Sequence, residues 1–282
     1  MTVRLALLGH PVSHSRSPFI HQAFGQALGL PVQYDTLDLV PETVDARVRA
    51  LLKDDFAGFN VTVPYKETAC GWAHQLTARA ERAGAVNTLI PLPGQPGQWL
   101  GDTTDGAGLV RDLVSVQGLQ PAAQRILLLG AGGAVRGVLE PLLATRPACL
   151  HIANRTRARA EALVDRFQSM AAAQGVTLTA SGFDDLEPGW DWVINGTAAS
   201  LGGEVPPLPA GTLGNTRVSY DMMYAPAATP FNQWAAAQGV PRCMDGLGML
   251  VGQAAESFQQ WTGRAPAVEP VLKALRAELD RD

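Results

Sequence analysis

Nothing in this chain offers a covalent staple or a thiolate metal cage. Its 282 residues include three cysteines, an odd number, at Cys70, Cys149 and Cys243. They form no C-x-x-C pair and no spacing suited to zinc. Free thiols in a reducing compartment are expected, and no metal. Charge is scarce as well. Only 17% of residues are Asp, Glu, Lys or Arg, and the formal net charge is −4. That balance argues against a broad basic face for nucleic acid or an anionic membrane surface. One local basic site for a phosphorylated ligand stays open. No apolar run approaches the ~20 residues needed to span a bilayer. No signal-peptide pattern precedes the first apparent strand, Val3 to Leu8. Internal repeats and low-complexity tracts are missing too. The expectation is a cytoplasmic globular protein without a nucleic-acid or membrane partner.

What the chain does have is alternation of strand and helix signals. Val3–Leu8 reads as a strand, and a polar loop follows. Ser17 is expected to cap a helix with Pro18 at its first position, stopped by Gly29. Val32–Leu39 and Phe59–Val63 read as strands. Pro41–Lys53 reads as a helix with Val44, Val48, Leu51 and Leu52 on one face. A second series starts at Arg125–Leu129, an apolar run of the kind buried on both faces of a parallel sheet. A helix to about Ala144 follows, which Pro141 is expected to kink or end early. A strand at Ala148–Ala153, a helix at Thr156–Ala172, and short strands at Trp192–Ile194 and Val218–Asp221 come next. Two helices close the chain, Leu247–Trp261 and Pro266–Leu279. The pattern predicts a two-domain α/β protein. An N-terminal domain with a mixed or parallel sheet spans 1–104 and is completed by helices from 246–282. A dinucleotide-type domain spans 105–245.

Two segments carry chemistry. The first is Asn60-Val61-Thr62-Val63-Pro64-Tyr65-Lys66. It alternates like a strand, Pro64 ends the ladder, and a lysine stands just beyond, where open α/β sheets bind ligands. Asn60 and Thr62 are expected on one face, free to hydrogen-bond a polar small molecule. Read locally, a strand edge with a solvated lysine is the default, because lysines are mostly at the surface; the rest of the chain reverses that reading.

The second segment is Gly130-Ala131-Gly132-Gly133-Ala134, between a strand and a helix. Small residues let such a turn approach a pyrophosphate, and the helix N-terminus offers free N–H groups and partial positive charge. The third glycine of the common fingerprint is replaced by Val135. About twenty residues further on, an acidic residue would bond an adenosine 2′-hydroxyl. This chain has Asn154-Arg155-Thr156, then Arg157 and Arg159. Arginine forks match phosphate oxygens, so the pattern predicts a Rossmann-type domain that takes NADP rather than NAD.

At this point the chain resembles the shikimate dehydrogenase family along nearly its whole length. The resemblance rests on Gly9 to Pro18 with Phe19, Ile20 and His21, on Asn60 to Lys66, on Ala83 to Thr88, on Thr104-Asp105-Gly106 and on Gly130 to Ala134. It continues through Asn154-Arg155-Thr156, Tyr220-Asp221-Met222 with Tyr224, and Asp245 to Leu250, in the family's order. It implies reversible reduction of 3-dehydroshikimate to shikimate, with Lys66 and Asp105 as the catalytic pair. Ser15 and Ser17 would hold the substrate carboxylate with Tyr224 near it. Thr62, Lys66, Asn87, Asp105 and Gln253 would contact ring hydroxyls. Met222 and Gly246 would line the nicotinamide. The adenosine side would rest on Gly130 to Ala134, Asn154, Arg155, Thr156 and Arg159. Members of the family occur as monomers and dimers, so a homodimer is one of two states the resemblance allows. Departures from the family's common pattern are Thr103, Gln22, Gly196 and Ala78. An NAD-preferring quinate/shikimate enzyme and a catalytically silent dinucleotide sensor are the competing readings. The missing acid after the second strand opposes the former, and the presence of both Lys66 and Asp105 the latter.

Overall fold

A computed structural model describes residues 2–281. The chain divides into two compact units, 1–108 with 250–275 and 109–249 with 276–282.

The first unit is built on a mixed six-stranded sheet in the order β2-β1-β3-β5-β6-β4. The strands are β1 (Val3–Gly9), β2 (Val32–Asp38), β3 (Gly58–Val61), β4 (Gln75–Leu76), β5 (Thr88–Pro91) and β6 (Trp99–Asp102). β1 runs parallel to β2 and β3, whereas β5 is antiparallel to both β3 and β6. Alternation along β1 sets the two faces. Ala6 and Leu8 pack with Val44 and Val48 of α2 (Val44–Leu51), together with Phe59, Trp72 and Trp99. Leu5 and Leu7 pack on the opposite side with Val12, Tyr34 and Trp261. α1 (Ser17–Leu28) connects β1 to β2, and Gly29 ends it at φ +66°, a left-handed cap that suits glycine. α3 (Ala78–Ala83) lies between β4 and β5 and is capped by Thr77, whose side chain accepts from the Ala80 N–H. α4 (Asp105–Arg111) begins just after β6 and runs into a π-helical turn over Asp112–Val116.

The second unit is a parallel six-stranded sheet, β12-β11-β10-β7-β8-β9. Its strands are β7 (Arg125–Leu129), β8 (Cys149–Ala153), β9 (Thr177–Ser181), β10 (Trp192–Asn195), β11 (Val218–Asp221) and β12 (Arg242–Asp245). Both faces are buried, as the apolar run of β7 requires. Ile126 and Leu128 face α5 (Gly133–Ala144) and α6 (Arg157–Gln174), where Val138, Leu142, Leu163 and Phe167 meet them. Leu127 and Leu129 face Phe231 and Ala235 of α7 (Pro230–Ala237). Strand order reverses between β7 and β10, the switch point at which such sheets bind ligands. α8 (Leu247–Thr262) and α9 (Val268–Leu279) complete the chain.

Three local expectations are corrected. α5 continues past Pro141 to Ala144, because Val138, Leu139, Leu142 and Leu143 are all fully buried on either side and hold the segment helical. Ser17 does not cap α1. Arg16 occupies the flanking position without a side-chain capping bond to the helix, and the Ser17 N–H donates instead to Ser15 Oγ at 3.2 Å. β3 ends at Val61, so Thr62 to Lys66 form a turn. No described helix is long and apolar enough to cross a membrane.

Candidate active site

In the first unit, the turn after β3 is anchored at several points. The Tyr65 N–H bonds Thr62 O at 3.0 Å, and the Tyr65 hydroxyl donates to Leu39 O at 2.5 Å. Tyr65 is thereby buried, and Lys66 follows with its own carbonyl accepting the Val86 N–H at 2.8 Å. Asp105 stands at the start of α4, where a carboxylate suits the helix dipole. Lys66 Nζ and Asp105 Oδ2 are 2.6 Å apart, with side chains only 14% and 5% exposed. The other carboxylate oxygen, Oδ1, accepts from Asn87 Nδ2 at 2.9 Å. A carboxylate can only accept, so this contact fixes which way the Asn87 amide points. The Asn87 oxygen then takes the Thr104 N–H at 2.8 Å and the Thr88 hydroxyl at 2.9 Å. Gln253 of α8 brings Oε1 to 3.2 Å from Asn87 Nδ2, and its own Nε2 donates to Leu250 O.

Lys66, Asp105, Asn87 and Gln253 are therefore one network. An ammonium held this way, largely out of water, can pass a proton to a substrate oxygen or stabilise negative charge on it. Asp105 is held by Lys66 and Asn87, while Thr103 beside it is buried with a hydroxyl that makes no hydrogen bond.

The loop after β1 packs against the same turn. His10 N donates to Val63 O at 3.0 Å, and Leu39 N to Gly9 O at 2.9 Å. A Cβ at Gly9 would stand 2.4 Å from Thr62 Cγ2, so only glycine permits this approach. This loop carries Ser15, half-buried, and Ser17, buried.

Asn60 departs from expectation. It is buried and turned into the protein, accepting from the Tyr34 hydroxyl at 2.8 Å and donating to Ser257 Oγ at 3.1 Å and Asn87 O at 3.2 Å. Its amide is consumed internally, so Thr62 alone of that pair stays at the turn. His21, from the first motif, is also fully buried. Its ring stacks on Tyr34 at 4.4 Å, and burial pushes its pKa down to about 3.

In the second unit, the turn after β7 has the features a dinucleotide needs. Gly130 sits at φ +106°, and a Cβ there would lie 3.1 Å from Gly196 O. Gly132 precedes α5 in extended conformation, no side chain caps the helix, and a Cβ built on Gly132 would meet nothing within 4 Å. The first-turn N–H groups of Gly133 and Ala134 are thus left for an anion. After β8, Asn154 bonds Thr156 O and shapes the turn, while Arg155, Thr156 and Arg159 are exposed. No carboxylate occurs between 154 and 159. Arg157 is engaged elsewhere, by Glu161 at 2.8 Å and Asp185 at 3.1 Å. These residues fit a dinucleotide bearing an extra 2′-phosphate. Met222 and Tyr224 follow β11, and Gly246 follows β12. A Cβ at Gly246 would be 2.2 Å from Met222 O, which accounts for glycine there.

Three family models cover the chain in succession: the shikimate dehydrogenase substrate binding domain over 7–89, shikimate / quinate 5-dehydrogenase over 113–200, and the shikimate 5′-dehydrogenase C-terminal domain over 246–276. The shikimate dehydrogenase (NADP(+)) of Alkalilimnicola ehrlichii is 49% identical over 99% of this chain and 100% of its own length. The chain belongs to the shikimate dehydrogenase family. A second member, from Chromohalobacter salexigens, is 50% identical over 98% of both chains. The crystal structure of the Thermus thermophilus shikimate 5-dehydrogenase, in complex with NADP(H) and shikimate, superposes with a TM-score of 0.83. Its identity is 32%, over 98% of this chain and 99% of that one. The two-domain α/β fold of the family, mixed sheet first and parallel sheet second, is the fold of this chain.

Within this family framework, one departure has a structural counterpart. A Cβ at Gly196 would sit 2.5 Å from Val135 Cγ2, 3.1 Å from Met222 Sδ and 3.2 Å from Leu129 O. Val135, which replaces the third fingerprint glycine, fills the space a methyl at 196 would need. Gly196→Ala is expected to destabilise by about 1–3 kcal/mol through overpacking, and adding Val135→Ala should restore most of that. Urea unfolding of both variants checks this; equal loss in single and double would show that the two positions do not share space.

Proposed function

We propose that this chain is an NADP-dependent shikimate dehydrogenase, interconverting 3-dehydroshikimate and shikimate. The observation that carries the reading is the Lys66–Asp105 contact at 2.6 Å, clamped by Asn87. Bound NADPH supplies the hydride for the substrate carbonyl carbon. Lys66 is placed to protonate or stabilise the oxygen that becomes a hydroxyl, and Asp105 keeps the amine aimed. Asn87, Gln253 and Thr62 supply hydrogen bonds for ring hydroxyls. Ser15, Ser17 and Tyr224 supply hydroxyls for a carboxylate. Gly130 to Ala134 receive the pyrophosphate, Asn154, Arg155, Thr156 and Arg159 the 2′-phosphate side, and Met222 and Gly246 the nicotinamide. In support, the substrate binding domain model spans Ser15, Ser17, Thr62, Lys66 and Asn87, and the shikimate / quinate 5-dehydrogenase model spans Gly130 to Ala134 and 154–159.

The direct test is spectrophotometric: shikimate and NADP+ should yield NADPH, with quinate and NAD+ as poorer partners. No NADPH formation from shikimate would reject the reading. Arg155→Asp is expected to raise KM for NADP+ roughly tenfold to a hundredfold, the worth of a charge-assisted fork, and to leave NAD+ use equal or better. An unchanged KM for NADP+ would remove Arg155 from the site.

The same reading makes the protein cytoplasmic, with a small-molecule substrate and no nucleic-acid or membrane partner, in keeping with its net charge of −4. A homodimer is the assembly to look for by light scattering.

A further inference from the structure

We propose that Ser257 and Thr88 are positioning residues for the Lys66–Asp105 pair, acting through a hydrogen-bond chain that runs one way towards the Asp105 carboxylate. The inference rests on the functional reading above and deepens it.

The direction follows from donors and acceptors. Asp105 can only accept, so Asn87 Nδ2 faces it and the Asn87 oxygen faces away. That oxygen lies 2.9 Å from Thr88 Oγ1, and an amide oxygen cannot donate, so the single Thr88 proton is committed there. Thr88 must then accept at its 2.8 Å contact with Ser257 Oγ, which makes Ser257 the donor. Ser257 in turn accepts from Asn60 Nδ2 at 3.1 Å, and the Asn60 oxygen accepts from the Tyr34 hydroxyl at 2.8 Å. Ser257 also lies 3.2 Å from Thr104 Oγ1, and its proton is shared between Gln253 O at 3.1 Å and the shorter Thr88 contact. Each of Tyr34, Asn60, Ser257, Thr88 and Asn87 is buried. Aligned bonds away from water polarise one another, so each donor strengthens the next, and the last one bears on Asp105.

The chain can be cut without leaving a buried group stranded. In Thr88→Val the Asn87 oxygen keeps the Thr104 N–H at 2.8 Å, and the Ser257 hydroxyl can turn to Gln253 O. A loss of activity would then reflect alignment, not folding.

Thr88→Val is expected to lower kcat roughly threefold to tenfold, the size of one buried hydrogen bond, with KM for NADP+ unchanged. Thr88→Ser, which keeps the hydroxyl, should stay within about twofold of the parent. Ser257→Ala should resemble Thr88→Val, and the double variant should be no worse than either single, since both cut one series. In ligand-free protein, the NMR signal of the Asn87 side-chain amide should move in Thr88→Val and in Ser257→Ala and return in Thr88→Ser. Equal kcat in the Val and Ser variants, multiplicative losses in the double, or an unmoved Asn87 signal would each overturn the proposal. The NMR measurement needs no substrate. A parent protein inactive on shikimate would reject the proposed function and still leave the chain of bonds to be judged by that signal.

Discussion

Lys66→Met is expected to lower kcat by roughly a hundredfold to ten-thousandfold, the range for loss of a positioned acid–base group. The substitution preserves most of the side chain's length and removes the charge. Steady-state rates with shikimate and NADP+ measure the effect. A fall in stability should accompany it, because the Asp105 carboxylate, 5% exposed, then keeps only its bond from Asn87. Breaking a buried pair by removing one partner typically costs about 3–5 kcal/mol. The double variant Lys66→Met with Asp105→Asn separates the two effects. It removes the stranded charge, so the urea midpoint should recover, while turnover should not. Near-normal turnover in Lys66→Met would remove the amine from the chemistry. Activity that recovered along with stability in the double variant would show that the pair matters for folding alone.

Acidification is expected to loosen the first unit through His21. Burial pushes its pKa from about 6.5 in an unfolded chain to about 3. The unfolded state therefore binds the proton more readily than the folded one across that window. The stability this neutral ring contributes is complete above about pH 6.5 and drains away as pH falls towards about 3. The full difference is on the order of 5 kcal/mol. His21→Phe keeps a ring to stack on Tyr34 and removes the titration. Its stability should fall less steeply between pH 6 and pH 4, by about 1.4 kcal/mol per pH unit. His151 of β8 is also lowered by burial, to about 4, and acts with the same sign in the other unit. The slope should therefore flatten without vanishing. Urea midpoints measured at several pH values decide it, and parallel slopes for parent and variant would show that His21 is not the group responsible.

Long buried elements were legible in the sequence, and short amphipathic ones were not. β7 is apolar after its first residue, and its predicted limits coincide with the observed Arg125–Leu129. β9 (Thr177–Ser181) and β12 (Arg242–Asp245) escaped the reading because each exposes part of its length and carries polar residues. β6 escaped because Gly94, Pro96 and Gly97 just before it read as loop. α7 did carry a signal, Thr229 ahead of Pro230, and Thr229 caps it. In the first unit, alternation placed Asn60 on a polar face but could not say what that face meets. Contacts with Tyr34, Ser257 and Asn87 decide it, and each lies 26 or more positions away. Lys66 and Asp105 were nameable through the motifs around them. Ser257 had no motif, and its only trace was a hydroxyl one helical turn beyond Gln253, on the same face of α8.

The bond between Asn60 and Ser257 spans 197 positions. During synthesis the amide emerges with the third strand, and the hydroxyl that answers it is made only after β12. All six strands of the parallel sheet, β7 to β12, lie between the two in sequence. Until α8 leaves the ribosome, water must serve the polar interior of the first unit, so its hydrogen-bond network closes only after the strands of both sheets have been translated.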